Sequence, residues 1–252
     1  VTCVSILKSI FGGAAMQHHF TSAVILAAGV GSRFGNDDGT KQNVQVCGIP
    51  AVVRAVMAHE ECDRIDEVIV VAKADEVETI KGYVTEYSLK KVSAVVPGGA
   101  TRDESSMKGA SAVSDRCRYI SIHDAARCLV TGDMIDDAVV AAYRYGAAAC
   151  AERVVDTVKI ADNDGFIKET ADRDFVWLVK TPQVFKFSMY ETASAIAKRD
   201  GITVTDDCMM AEHCGFRVKL VDCGHENIKL TTREDLAMAE YIISKRKDGG
   251  TR

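Results

Sequence analysis

Short apolar runs recur along the chain, separated by longer stretches in which apolar and polar residues alternate at helical spacing. The runs "AVILAA" (23–28), "EVIVVA" (67–72), "SAVV" (93–96) and "YISI" (119–122) are compact and nearly unbroken. Strands buried on both faces of a parallel sheet look like this, whereas strands with one wet face alternate. Helical patterns occupy 50–60, with Pro50 at its start, 74–87, 102–114 and 133–145, where Asp133 is the expected N-cap. Alternating strands and helices predict an α/β fold: a Rossmann-like, mostly parallel sheet with helices on both faces.

Residues 146–185 break that rhythm. A small-residue strand leads into "TVKI", a turn at "DNDG" and "FIKET", which together predict a β-hairpin. An antiparallel arm inserted into a parallel fold suits contact with a partner. Helical patterns resume at 186–199 and 205–214, followed by strands "RVKLV" (217–221) and "NIKL" (227–230) and a helix from 232 to about 245. The reading is an N-terminal extension (1–20), a single domain (21–245) with its arm at about 152–184, and a frayed tail (246–252).

Composition narrows the function classes. With 252 residues, 47% of them hydrophobic, the chain can bury one substantial core. A net charge of −5 argues against a dedicated nucleic-acid binder, so any anionic ligand must meet a local basic site. Nine cysteines without a C-x-x-C pair argue against a disulfide framework or a zinc ribbon, and predict a reducing, cytoplasmic setting. No apolar run approaches the roughly 18 residues of a membrane span.

The candidate chemistry lies in "VILAAGVGSRFGNDDGTKQ" (24–42), where the first strand opens into a glycine-rich loop with two separated cations. A Walker A loop needs Lys directly after its second glycine, but Asn36 follows Gly35 here. A dinucleotide fingerprint needs G-x-G-x-x-G, and Gly29, Gly31 and Gly35 are spaced one residue too far. The third architecture, L-A-A-G-x-G-x-R with a distant Lys, is a nucleotidyltransferase loop. Gly29 and Gly31 let the backbone approach a triphosphate, while Arg33 and Lys41 supply charge from opposite ends.

Taken with this loop, the ordered motifs "TKQ", "PGGATRDESS", "HDAAR", "DTVK", "KTPQVF", "TDD" and "ENIKLTT" resemble the 2-C-methyl-D-erythritol 4-phosphate cytidylyltransferase family from about Ala23 to Ile243. The resemblance implies a nucleotidyltransferase fold, a CTP-dependent reaction of the non-mevalonate isoprenoid pathway, and Mg²⁺ or another divalent cation. It implies that Arg33, Lys41 and Lys229 are catalytic, holding the triphosphate and meeting charge at the α-phosphate. Ala27, Ala28, Gly29, Gly31, Gly99, Arg102 and Ser105 would bind the nucleotide, although Ser105 could equally cap a helix.

For the acceptor, the resemblance implies Asp124, Arg127, Thr157, Arg173, Thr181 and Thr205, with Asp124 also nearest the metal. His123 reads as a structural hydrogen-bonding residue rather than a base, and Asp206 as either a cleft residue or a helix cap. Thr157 and Arg173 would come from the neighbouring subunit, so that the hairpin becomes a dimerisation arm completing each site in trans. Trp177 and "KTPQVF" would pack in that arm, and an acceptor alcohol would attack the α-phosphorus in line. Thr40 and Cys128 stand where the family commonly has proline. Two alternatives stay open: a ribitol-5-phosphate cytidylyltransferase, and a non-catalytic nucleotide-binding protein on the same fold.

Overall fold

In the computed structural model, residues 17–29 and 42–248 are described. A seven-stranded sheet forms the centre. Its first strands are β1 (Thr21–Leu26), β4 (Glu67–Ala72), β5 (Val92–Pro97) and β6 (Tyr119–Asp124); β2 (Gln45–Val46) and β3 (Ile49–Pro50) form a small separate hairpin. The later strands are β7 (Ala147–Arg153), the arm strands β8 (Lys159–Ala161) and β9 (Ile167–Thr170), then β10 (Trp177–Lys186) and β11 (Lys219–Asp222). The order across the sheet is β11-β7-β10-β6-β1-β4-β5. Only β10 runs antiparallel to its neighbours β6 and β7.

Both faces of this sheet are covered at β1, β4 and β6, which explains their unbroken apolar runs; β5, which carries "SAVV", is instead an edge strand with no fully buried residue. Along β1, Ala23 and Ile25 join one core and Val24 and Leu26 the other. The first core is closed by α1 (Ala51–Glu61), α2 (Val77–Glu86) and α4 (Gly132–Tyr145), through Val52, Val56, Ile80, Ile135 and Val139. The second is closed by α5 (Phe187–Asp200) and α6 (Asp207–His213), through Tyr190, Ala193 and Met210 against Ile120, Ile122 and Phe185. The last helix, α7 (Arg233–Asp248), packs Ala239 and Ile243 with Val46, Cys128, Leu129 and Leu230. Cys128 is therefore a packed thiol, its pKa pushed up to about 11 by burial.

Several boundaries differ from the pattern reading. Thr131, not Asp133, caps α4 by accepting from the Met134 amide; Asp133 sits in the first turn, where its charge suits the helix dipole. "NIKL" is not a strand: Leu230 N donates to Ala126 O, and Asn227 is tied to neighbouring segments rather than to a ladder. "TPQVF" is not arm packing but the buried centre of the sheet, with Gln183, Val184 and Phe185 paired to both β6 and β7. The hairpin is where the alternation placed it. Strands β8 and β9 pair antiparallel across the turn 162–165, where Gly165 takes φ +85° and Asp162 Oδ1 accepts from the amides of Asp164 and Phe166.

Candidate active site

Strands β1 and β6 are in register at Leu26 and Asp124, so both end at one edge of the sheet, where open α/β sheets bind ligands. Two clusters of the anticipated residues meet there.

The first is built of backbone. Ala27 N donates to Val71 O at 2.7 Å, and Ala28 follows at the end of β1. Gln42 Nε2 donates to Gly29 O at 2.6 Å, which ties together the two ends of the glycine-rich loop. Gly31, Arg33 and Lys41 lie outside the described residues. Beside this end, β5 runs into Gly98 and Gly99 before α3 (Arg102–Ala110). Neither glycine could carry a side chain: a Cβ at Gly98 would lie 2.4 Å from the Ala28 Cβ, and one at Gly99 would lie 2.3 Å from the Glu104 Cβ.

The N-cap of α3 is Thr101, whose hydroxyl accepts from Glu104 N, while Glu104 reaches back to Ala100 N at 2.7 Å. This reciprocal arrangement resembles a capping box. Ser105 therefore caps nothing. Its hydroxyl accepts from Gly99 N at 3.0 Å and donates to Thr101 O at 2.9 Å, which fixes the glycine wall against the helix.

The second cluster is charged. Asp124 accepts from Lys229 Nζ at 2.7 Å on one oxygen and from Arg102 Nε at 3.3 Å on the other. Arg102 also reaches Asp207 through Nη1 at 2.7 Å. Arg127 donates to Asn227 O at 3.0 Å. Burial works against charge on Asp124, but Arg102, Lys229 and Arg127 outweigh it and hold the carboxyl far below the usual range. Burial likewise opposes charge on Arg102, and Asp207 and Asp124 reverse that, raising its pKa. Burial also lowers the pKa of Arg127, against the pull of Asp124. Three cationic side chains thus face two carboxylates. Arg102 Nη2 and Arg127 Nε are buried without a partner, so the cleft can take an anion.

His123 and Thr181 set the floor beneath this cluster. Thr181 Oγ1 accepts from the Asp124 amide at 3.1 Å, which leaves its proton for His123 Nδ1 at 3.0 Å. The other ring nitrogen then donates to Arg127 O at 3.2 Å. That chain of bonds defines a neutral imidazole with both nitrogens engaged. Burial, with the neighbouring His59, holds its pKa well below the ordinary value. His123 has no free nitrogen with which to act as a base.

The remaining anticipated residues make no described hydrogen bond or ion pair with Asp124, Lys229, Arg102 or Arg127. Thr205 is exposed and directs its hydroxyl to Met209 Sδ, while Asp206 caps α6 and accepts from Gln183 Nε2 at 2.8 Å. Thr157 and Arg173 are exposed on the arm, and Arg173 donates only to Val155 O among the described hydrogen bonds and ion pairs. Trp177 opens β10 with the Arg153 guanidinium over its ring at 4.2 Å.

The pattern reading missed Asp207, Gln183 and Asn227. Asp207 is 2% exposed and anchors Arg102 and Ser106. Gln183 Oε1 accepts the amides of Asp207 and Cys208. A glutamine inside the apolar run "TPQVF" was the available signal for it.

Known proteins resemble this chain over most of its length. The family model described as IspD, 2-C-methyl-D-erythritol 4-phosphate cytidylyltransferase, matches residues 21–245. A 2-C-methyl-D-erythritol 4-phosphate cytidylyltransferase of Alkaliphilus oremlandii is 40% identical over 230 residues, covering 91% of this chain and 97% of its own. That of Caldanaerobacter subterraneus is 41% identical over 225 residues, 89% of this chain and 99% of its own. Among solved structures, the 4-diphosphocytidyl-2C-methyl-D-erythritol synthase of Anaerococcus prevotii superposes with TM-score 0.81 at 28% identity, over 90% of this chain and 99% of its own. The Thermus thermophilus 2-C-methyl-D-erythritol 4-phosphate cytidylyltransferase gives 0.72 at 28% identity, over 89% and 99%.

Proposed function

The chain belongs to the 2-C-methyl-D-erythritol 4-phosphate cytidylyltransferase family, and from that premise we propose how its residues serve the reaction. The enzyme transfers the cytidylyl group of CTP to 2-C-methyl-D-erythritol 4-phosphate, releasing pyrophosphate in isoprenoid precursor biosynthesis. Relatives at about 40% identity over most of the chain favour this over the ribitol phosphate and non-catalytic alternatives.

Atom balance corrects one expectation about the attack. A diphosphocytidyl product carries one phosphorus from CTP and one from the acceptor, so the nucleophile is an oxygen of the acceptor phosphate, not its alcohol. Its bond to the α-phosphorus forms as the bond to the departing pyrophosphate breaks. A phosphate monoester, with a second pKa of about 6, is largely dianionic at neutral pH. No protein base has to remove a proton, which accords with the fully engaged His123. The task left is to bring two anions together and stabilise the charge of the transition state.

The observation that carries this reading is the convergence of Lys229 and Arg102 on Asp124 beside Arg127. Arg33 and Lys41 grip the triphosphate from the loop. Lys229, whose side chain is 41% exposed, joins them at the α-phosphate. Arg102 with the Ala27–Gly29 and Gly99–Ser105 walls receives the nucleotide, and Arg127 and Thr205 serve the acceptor; Thr181, its hydroxyl already engaged by the Asp124 amide and His123, holds the floor beneath it. Among the described residues no group of three or more His, Cys, Asp or Glu could hold a metal on its own. Asp124 suits the role of the one protein carboxylate on a Mg²⁺ carried by the triphosphate, an ion that would offset charge on the phosphate oxygens.

We read 21–245 as one catalytic domain whose arm, narrowed from 152–184 to the segment between β7 and β10 because 177–184 belongs to the central sheet, pairs across a two-fold axis so that Thr157 and Arg173 complete the partner's site. Exposed Phe166 (71%), Ile167 (66%) and Phe175 (83%) on the arm support that reading. All eight described cysteines are free, which supports a reducing, cytoplasmic setting. No helix among the described residues is long and apolar enough to cross a membrane.

The direct test is pyrophosphate release with CTP and Mg²⁺, comparing methylerythritol phosphate with ribitol 5-phosphate. A clear preference for the first is expected, and preference for the second would reassign the acceptor. Mixed dimers with Lys229→Ala in one subunit and Arg173→Ala in the other should regain activity. Failure to regain any would count against completion in trans.

A further inference from the structure

The ladder between β10 and β7 is interrupted between Val179 and Gln183: Val179 pairs with Ala151 and Gln183 with Ala149, so three residues, 180–182, oppose Cys150 alone. Bulges re-aim side chains and occur beside active sites. Two residues of this one, Lys180 and Thr181, point their polar groups at the segment 223–230, which connects β11 to α7 and has no ladder of its own. The Thr181 carbonyl accepts from Asn227 Nδ2 at 2.9 Å.

Lys180 is buried, 6% exposed. Its ammonium contacts the Glu152 carboxylate at 2.5 Å, and donates to Gly224 O at 3.1 Å and His225 O at 3.5 Å. Glu152 in turn binds His225 Nδ1. Burial works against charge on Glu152, but the bonds from His225 and Lys180 prevail and keep its carboxyl below the ordinary glutamate range. Burying an ammonium is costly unless it is paired and hydrogen-bonded, and packing alone would be served by an apolar residue. What an apolar residue could not supply is a set of donors for two loop carbonyls.

The loop so gripped leads within four residues to Lys229. On its far side it is tied again, with Arg127 holding Asn227 O and Ala126 O accepting from Leu230 N.

The geometry points to Lys180 as a positioning residue: with Glu152 it clamps the carbonyls of Gly224 and His225 and thereby sets Lys229 against Asp124. It touches no reacting atom. This rests on the reading of Lys229 as the lysine that meets the α-phosphate, and a double-mutant cycle separates the two claims.

The experiment measures kcat and both KM values for the parent, Lys180→Met, Lys229→Ala and the double variant, with circular dichroism to confirm folding. Lys180→Met should lower kcat about tenfold with KM for CTP changed by less than about threefold, and the same change on Lys229→Ala should cost less than about twofold. An equal loss in both backgrounds would overturn the clamp while leaving Lys229 catalytic. If Lys229→Ala alone keeps turnover within about twofold of the parent, the reading of Lys229 fails first and the clamp falls with it.

Because Lys180→Met leaves Glu152 with His225 alone, the pair Lys180→Met/Glu152→Gln is the second variant. Loss of kcat that persists in this pair supports the clamp. Full recovery would trace the loss to an uncompensated carboxylate and overturn it.

Discussion

The cleft around Asp124 and the β8–β9 arm treat polar and apolar groups in opposite ways. In the cleft, Asp124, Asp207, Lys180 and His123 are all buried and all hydrogen-bonded, each by partners from distant parts of the chain. On the arm, Phe166, Ile167 and Phe175 stand in solvent, and Arg173 meets only a backbone carbonyl among the described contacts. One region is satisfied by its own fold; the other leaves apolar surface outside, which under the proposed reading a second copy would cover. A cleft that must hold several like charges needs preorganisation, which only buried, over-determined contacts supply. An arm that must meet a second copy needs its apolar surface outside.

The sharpest way to break this contrast uses one residue type in both places. Phe185→Ala, in the core at 1% exposure, should cost about 3–5 kcal/mol in urea unfolding. Phe175→Asp should change the unfolding free energy of the subunit itself by no more than about 0.5 kcal/mol. The same Phe175→Asp substitution should halve the mass measured by sedimentation. A stable monomeric parent would refute the arm reading.

Next in size, Lys229→Ala should lower kcat by about 100- to 1,000-fold, read as pyrophosphate release. Arg173→Ala, on an exposed arm where substitutions are ordinarily silent, should lower kcat/KM for the acceptor about tenfold or more while leaving KM for CTP nearly unchanged. Loss confined to KM for CTP would place Arg173 on the wrong substrate.

The remaining effect concerns pH and builds up only gradually. His59 is fully buried against His123, their ring centroids 4.9 Å apart, and burial lowers its pKa from 6.5 to about 4. As pH falls below 6.5 the unfolded chain takes up the proton before the native one does. Stability should therefore be complete above pH 6.5 and decline toward pH 4 by up to about 1.4 kcal/mol per unit for this histidine, with His123 acting in the same direction. Urea midpoints at pH 7 and pH 5 measure the slope, and an equal midpoint at both would show these rings exposed.

Much of the architecture was legible because it follows from local pattern. The run "EVIVVA" is β4 residue for residue, and "DNDG" is the hairpin turn. What escaped is what only tertiary contacts decide. In "TDD", spacing cannot say which carboxylate faces inward; Asp206 caps the helix, while Asp207 is selected by Arg102, 105 residues away. "NIKL" has the composition of a strand but finds the Ala126 carbonyl instead of a ladder. The basic residues of the cleft could be named from their motifs, yet that Asp124 is shared between Lys229 and Arg102 is visible only in three dimensions.

Strand β10 begins at Trp177, against the root of the arm, and ends at Lys186 in the middle of the sheet, with Lys180 and Thr181 between. A single alignment of backbone therefore fixes both the projection of the arm and the floor of the cleft. Lengthening the chain at the 162–165 turn leaves that alignment alone. Adding or removing one residue within 177–186 would turn every later side chain to the opposite face, and both features would be lost together. The two regions are thus mechanically one unit: the tip of the hairpin can change length freely, but the direction in which the arm projects cannot change without also moving the floor of the cleft.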